Sequence, residues 1–205
     1  MRTLYLLAGA CAFMLAAPVA ADPLLDGDAE AGESKSTACA ACHGPDGNST
    51  NPEWPNLAGQ HARYTFQQLK AYKDGTRSDP VMMGQVQALD EQDMKDLAVF
   101  YAMQTPGVGS ADPELAEAGK KLYRGGNLSS GVTACIACHG PRGEGIPTAN
   151  YPMVSGQHAQ YTIAQLRKYR DGERTTDRAS MMRDIAARMT DEEIRAVAEY
   201  IQGLH

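Results

Sequence analysis

One five-residue pattern constrains this chain more than any other, and it occurs twice: Cys39-Ala40-Ala41-Cys42-His43 and Cys135-Ile136-Ala137-Cys138-His139, 96 residues apart. Two thiols three residues apart lie on one helical turn, where each can form a thioether with a vinyl group of a haem. The next residue then brings an imidazole to the iron. Cys-x-x-Cys-His is therefore the attachment site of a c-type haem. On this reading Cys39, Cys42, Cys135 and Cys138 are thioether residues, and His43 and His139 are proximal iron ligands. A thioredoxin-like dithiol couple would need a βαβ context that neither site has. Two Cys-x-x-Cys pairs could together hold zinc, but zinc gives no reason for a histidine directly after each pair.

A motif duplicated within 205 residues favours two small domains over one large one. Domains of that size are poor in core, so a large apolar group bonded to each would act as core as well as cofactor. The repeat extends beyond the motif. Glu30-Ala31-Gly32 matches Glu117-Ala118-Gly119, and Pro55-Asn56-Leu57-Ala58-Gly59-Gln60-His61-Ala62-Arg63-Tyr64 matches Pro152-Met153-Val154-Ser155-Gly156-Gln157-His158-Ala159-Gln160-Tyr161. A middle helix follows in each copy, with Phe66, Leu69 and Tyr72 or Ile163, Leu166 and Tyr169 on one face. Gly75 and Gly172 are expected to end these helices as left-handed caps. The last helix begins at Asp90 or Thr190, and Thr190 with Glu193 forms a capping box. Residues 124 to 131 form a loop inserted only in the second copy, and nothing reads convincingly as strand. The expected architecture is all-α: two tandem haem-wrapping domains, 22–104 and 114–205, joined by the Gly- and Pro-rich linker 105–113.

Residues 1–21 read as a cleaved secretory signal, with Arg2 ahead of the apolar run Leu4 to Leu15 and small residues Val19-Ala20-Ala21 at its end. An uncleaved anchor is the alternative, because no charge appears from Thr3 to Ala21. Cys11 falls inside the signal, and the other four cysteines are consumed by thioethers, so none remains for disulfides. The formal net charge of −6 becomes −7 without Arg2, and nucleic acid is excluded as a partner. Residues 22–104 carry 6 Lys and Arg against 13 Asp and Glu, whereas residues 105–205 carry 12 against 12, an asymmetry able to orient docking.

The sixth iron position decides between a carrier and an enzyme. Methionine sulfur closes it and raises the potential, while an open position admits oxygen or peroxide. Each copy has a methionine pair ahead of its last helix, Met82-Met83 and Met181-Met182. Aligning the copies from Asp90 and Thr190 superposes Met82 on Met182, eight residues before the cap in both, and these two are the expected axial ligands. Met94, Met103 and Met189 are expected in the core. His61 and His158 are rival ligands, but a hydrogen-bonding role near the haem edge fits them better. A backbone carbonyl in the loop at Pro55 or Pro152 would orient each proximal imidazole. Trp54 is expected to pack, and Tyr64 and Tyr161 to bond a haem propionate or cap the core.

The ensemble resembles the di-haem class I cytochromes c of the cytochrome c4 type, over nearly all of the chain after the signal. The residues that carry the likeness are the two Cys-x-x-Cys-His sites, the paired Pro-x-x-x-Gly-Gln-His-x-x-Tyr runs, the methionine before each capped last helix and the ending Tyr200-Ile201-Gln202-Gly203-Leu204-His205. The resemblance implies two covalent haem c groups, His43 with Met82 and His139 with Met182 as axial pairs, and a pseudo-twofold axis with propionates near the domain interface. It also implies a periplasmic electron carrier that is not an enzyme. A membrane-bound cytochrome oxidase would be its acceptor, and a quinol-oxidising complex or small periplasmic protein its donor. Peripheral membrane association is compatible with that role. The alternative is the di-haem subunit of an enzyme complex such as a flavocytochrome sulfide dehydrogenase. A di-haem peroxidase would need an iron without a firm sixth ligand.

Overall fold

The computed structural model describes residues 25–205; the expected signal and its cleavage point lie outside them. The first half contains α1 (Ala29–Lys35), α2 (Thr37–His43), α3 (Ala62–Lys73), α4 (Pro80–Val86) and α5 (Glu91–Ala102). The second contains α6 (Pro113–Gly125), α7 (Ile136–His139), α8 (Ala159–Arg170), α9 (Met181–Ala186) and α10 (Asp191–Gln202). Among the described residues there is no strand, only isolated antiparallel bridges at Asn127 with Val132 and Ile146 with Tyr151. The fold is all-α with two tandem domains, as the sequence implies.

Local chemistry sets the helix ends. The Asp28 side chain accepts from the N–H groups of Glu30 and Ala31 at the start of α1, and Asp112 accepts from Glu114 at the start of α6. These acceptors satisfy donors that the helix itself leaves unpaired. Asp112 and Pro113, assigned to the linker from sequence, are thus the cap and first residue of α6. Both last helices carry a full capping box, Asp90 with Asp93 as well as Thr190 with Glu193. The middle helices α3 and α8 end at Asp74-Gly75 and Asp171-Gly172, where the glycines adopt φ of +78° and +75°.

Packing repeats in each half. The first helix crosses the last, α1 on α5 and α6 on α10, and the middle helix lies against the last on another side. The crossings are close because Gly32 and Gly119 sit at them. A methyl group built on either would overlap the carbonyl oxygen of Asp96 or Ala196. Met94, Leu97, Ala98 and Tyr101 are buried on α5, as are Ile194, Val197, Ala198 and Ile201 on α10. Met189 is in the core as expected. Met103 is not: α5 stops at Ala102, and Met103 is 48% exposed. Trp54, expected to pack, stands on a loop and is 39% exposed.

The halves meet through equivalent residues that bond each other reciprocally, the pattern of an approximate twofold interface. Gln60 Nε2 donates to the Met153 carbonyl at 2.8 Å, and Gln157 Nε2 donates to the Asn56 carbonyl at 2.9 Å. Asn56 and Met153 occupy matching positions of the repeated run. The connecting segment is fastened too: Asn48 bonds Thr105 and Gly107, and Gln202 Nε2 donates to the Ser110 carbonyl.

Candidate functional site

Each Cys-x-x-Cys-His pattern forms its own short helix. Cys39, Cys42 and His43 lie on α2, and Cys135 caps α7, which carries Cys138 and His139. Gly44 and Gly140 follow at φ of +79° and +77°, a left-handed turn that ends each helix directly after its histidine. The chain then loops back. Gly47 and Gly143 carbonyls accept from Leu57 and Val154, each at 2.7 Å, which fixes the loop opposite the histidine.

That loop delivers the expected carbonyls. His43 Nδ1 lies 2.9 Å from the Pro55 carbonyl oxygen, and His139 Nδ1 lies 2.9 Å from that of Pro152. A carbonyl can only accept, so Nδ1 carries the proton in both rings and Nε2 presents its lone pair. Burial pushes both imidazole pKa values down, against the opposing pull of the carbonyls. Burial thus favours the neutral ring, the form able to ligate a metal.

The first thiol of each pair faces apolar surroundings. Cys39 packs against the cluster of Leu97, Phe100 and Tyr101, and Cys135 against the cluster of Tyr123, Ile194 and Val197. Burial raises the Cys39 thiol pKa and pushes that of Cys135 up to about 11. None of these four cysteines is joined to another in a disulfide. Among the described residues no three His, Cys, Asp or Glu side chains converge, so the two cysteine pairs do not combine into a zinc site. The donor set fits haem c instead: two thiols on one turn, the first of them against an apolar cluster, with an oriented imidazole beside them.

The methionine pairs sit on α4 and α9. Met82 lies one turn before buried Val86, and Met182 one turn before buried Ala186, so each shares the inward face of its helix. Met182 packs against the same cluster as Cys135. The Met181 sulfur is 3.9 Å from the Tyr151 hydroxyl, which donates to it. Ahead of Met182 the chain takes two left-handed residues, Ala179 and Ser180, with φ of +52° and +59°. Asp177 braces this turn by accepting from Arg183 N and Nε at 3.0 and 2.8 Å.

Of the two rival histidines, His158 is committed elsewhere: its Nε2 lies 2.9 Å from the Ser49 carbonyl of the other half. Tyr64 and Tyr161, expected at a propionate or as core caps, accept hydrogen bonds from Arg174 and Arg77 across the interface. Sequence reasoning assigned no role to these arginines or to Gln60 and Gln157. Their signal was duplication, since Asp74-Gly75-Thr76-Arg77 matches Asp171-Gly172-Glu173-Arg174.

Fold and site together define a tandem pair of helical haem-attachment domains, each with an oriented imidazole. The family model described as cytochrome c matches residues 29–102 and 116–205. Cytochrome c4 of Azotobacter vinelandii is 49% identical over 189 residues, covering 87% of this chain and 90% of that protein. The crystal structure of reduced recombinant cytochrome c4 from Pseudomonas stutzeri superposes with a TM-score of 0.86 at 45% identity, covering 88% of this chain and all of that one. A thiosulfate dehydrogenase electron acceptor of Stutzerimonas stutzeri is 39% identical, covering 82% of this chain and 79% of that protein. The chain belongs to the cytochrome c family and, within it, to the di-haem cytochromes c4. It binds two covalently attached haem c groups and transfers electrons.

Proposed function

We propose that this protein is a periplasmic shuttle that carries single electrons towards a membrane terminal oxidase, with both irons closed by a histidine and a methionine. Haem c supplies a ferric/ferrous couple. The protein's own residues bind, orient and shield it. Cys39, Cys42, Cys135 and Cys138 form the thioethers, His43 and His139 are the proximal ligands, and Met82 and Met182 are the distal ones. The observation that carries this reading is the matched pair of imidazoles, each fixed by a carbonyl at 2.9 Å. Identical treatment of both sites suits two redox relays better than one relay and one substrate-binding iron.

The methionine choice has its own support. Met182 faces the Cys135 cluster while the Met181 sulfur is held by Tyr151. Met82 takes the equivalent place on α4. The domains run over 22–104 and 114–205, with residues 1–21 as the export signal. A second reading is favoured by the 39% identical thiosulfate dehydrogenase electron acceptor: here the protein takes electrons from a sulfur-oxidising enzyme and is its cytochrome partner. Electrons delivered by such an enzyme, without a quinol-oxidising complex, would select it.

Ligand substitution tests the assignment. Met82→Ala and Met182→Ala should each abolish the methionine-to-iron charge-transfer band of one haem and lower that haem's potential, while Met83→Ala and Met181→Ala leave both bands. Persistence of both bands in Met82→Ala or Met182→Ala overturns the ligand choice. Rapid carbon monoxide or peroxide binding to the as-isolated wild type overturns the carrier reading.

A further inference from the structure

The carbonyl that orients each proximal histidine belongs to a peptide group whose other end is gripped by the opposite half. The Pro55 oxygen accepts from His43 Nδ1, and the N–H of the same peptide, that of Asn56, donates to Gln157 Oε1 at 2.9 Å. The Pro152 oxygen accepts from His139 Nδ1, and the Met153 N–H of that peptide donates to Gln60 Oε1 at 3.0 Å. The amide orientation of each glutamine is fixed by its partners. Gln157 Oε1 also accepts from His158 N at 3.0 Å while its Nε2 donates to the Asn56 carbonyl, and Gln60 does the same with His61 N and the Met153 carbonyl. A flipped amide would set an NH₂ group against two N–H donors. Gln60 is 8% exposed, so water does not compete freely for these bonds.

A peptide that donates through its N–H carries more negative charge on its oxygen, because hydrogen bonds in a chain polarise one another. That oxygen then draws harder on the imidazole proton and makes the ring a more basic ligand. We propose that Gln60 and Gln157 are crossed positioning residues: Gln157 sets the basicity of His43, and Gln60 sets that of His139, each through one shared peptide group. The inference rests on the reading of His43 and His139 as iron ligands. Its consequence is that each half's potential is set partly by a side chain of the other. Interface contact is then a condition of tuning as well as of assembly.

The sign follows from the chemistry. A more basic imidazole favours ferric iron, so removing a glutamine raises the potential of the opposite haem. The test uses the full-length holoprotein, matured in a host that attaches haem c, with Gln60→Leu, Gln157→Leu and Gln60→Glu. The readouts are the two midpoint potentials and the Nδ1–H proton resonances of His43 and His139 in the diamagnetic ferrous state. Gln60→Leu should move the second-half haem up by about threefold in its reduction equilibrium constant, roughly 28 mV at 59 mV per tenfold for one electron. It should shift the His139 resonance upfield and leave the first-half haem and His43 unchanged. Gln157→Leu should give the mirror result. Gln60→Glu keeps an acceptor oxygen on the Met153 N–H and adds negative charge, so it should restore a downfield His139 signal and lower the same potential.

A shift confined to the haem of the substituted half overturns the proposal, and so does an equal shift of both haems, which marks general loosening of the interface. Unchanged potentials and resonances overturn it as well. Failure of the ligand reading is separately visible: the wild-type ferrous spectrum would then lack ring-current-shifted imidazole signals for His43 or His139.

Discussion

Arg77 and Arg174, one from each half, donate to the same oxygen: Gln68 Oε1 accepts from Arg77 Nη1 at 2.8 Å and from Arg174 Nη2 at 2.9 Å. Gln165 Oε1 takes the mirror pair, each at 2.9 Å. The guanidinium groups also donate to Tyr161 and Tyr64 across the interface and lie 4.6 Å over the rings of Tyr72 and Tyr169. Two buried cations thus share a cradle of amide oxygens, phenols and ring faces. Such a cradle disperses charge and fixes the register of the halves, since each arginine needs side chains from both.

Removing one arginine should therefore cost more than its own packing. Arg174→Leu leaves the buried Gln68 and half-buried Tyr64 acceptors short of a charged donor, and stability in denaturant should fall by about 2 kcal/mol. Adding Arg77→Leu should cost more than the sum of the single changes, because each single change leaves Gln68 and Gln165 one charged donor and already relieves the like-charge repulsion, whereas the double change strips both oxygens of their donors. Denaturant midpoints of the four members of this cycle check both statements. Strict additivity would show that the arginines do not act as a pair.

Much of this architecture could be read from the chain because its signals are local. Asp90, Thr190 and the two glycines at 75 and 172 act within a turn or two of themselves, and the structure puts them at helix ends. The contacts of His43 and His139 with the Pro55 and Pro152 carbonyls were legible for the same reason, lying 12 and 13 residues apart. Gln60, Gln157, Arg77 and Arg174 were not. Their partners in the other half are 84 to 110 residues away, so duplication marked the positions without revealing that each copy reaches into the other. Met103 was misread because periodicity continues past the point where α5 ends. The matched Gly32 and Gly119 showed a repeat, but only the crossing shows why a glycine is there.

At those crossings the space is spent. Gly119→Ala would press a methyl group into the Ala196 carbonyl, so α6 and α10 must move apart, at a cost of about 1 to 3 kcal/mol. Gly32→Ala should do the same to α1 and α5 through the Asp96 carbonyl. Gly84, inside α4, meets nothing within 4 Å and takes an ordinary helical conformation. Gly84→Ala should instead stabilise by about 0.5 to 1 kcal/mol. Thermal unfolding of the three variants checks the contrast, and equal effects at all three positions would refute the packing argument.

The α1–α5 crossing carries a second fastening, a buried carboxylate, whereas the bonds from Asp112 N to Glu199 and from Arg124 Nε to Tyr200 at the α6–α10 crossing are exposed. Asp96 is buried on α5, where it accepts from Asp28 N at 2.9 Å, Lys35 Nζ at 2.6 Å and Gln92 Nε2 at 2.8 Å; Ala196 stands at the matching place on α10. Burial pushes the Asp96 carboxyl up, but these three donors outweigh it and hold it below its ordinary 3.8. Lys35 also holds Asp93 down, and both carboxylates raise Lys35 above its ordinary 10.5. A depressed carboxylate adds stability that is present above its unfolded pKa and is lost as pH falls through the folded one. The raised lysine adds stability that is full below its unfolded pKa and is lost as pH rises through its folded one. The first half should accordingly be steady from about pH 5 to 9 and loosen below about pH 4. Asp96→Asn should lower stability by about 1 to 3 kcal/mol at neutral pH, and the gap from wild type should close on acidification. Hydrogen exchange in α1 and α5 between pH 3 and 7 checks this, with α6 and α10 as the internal reference. An acid response equal in both helix pairs would assign the loss to charge elsewhere.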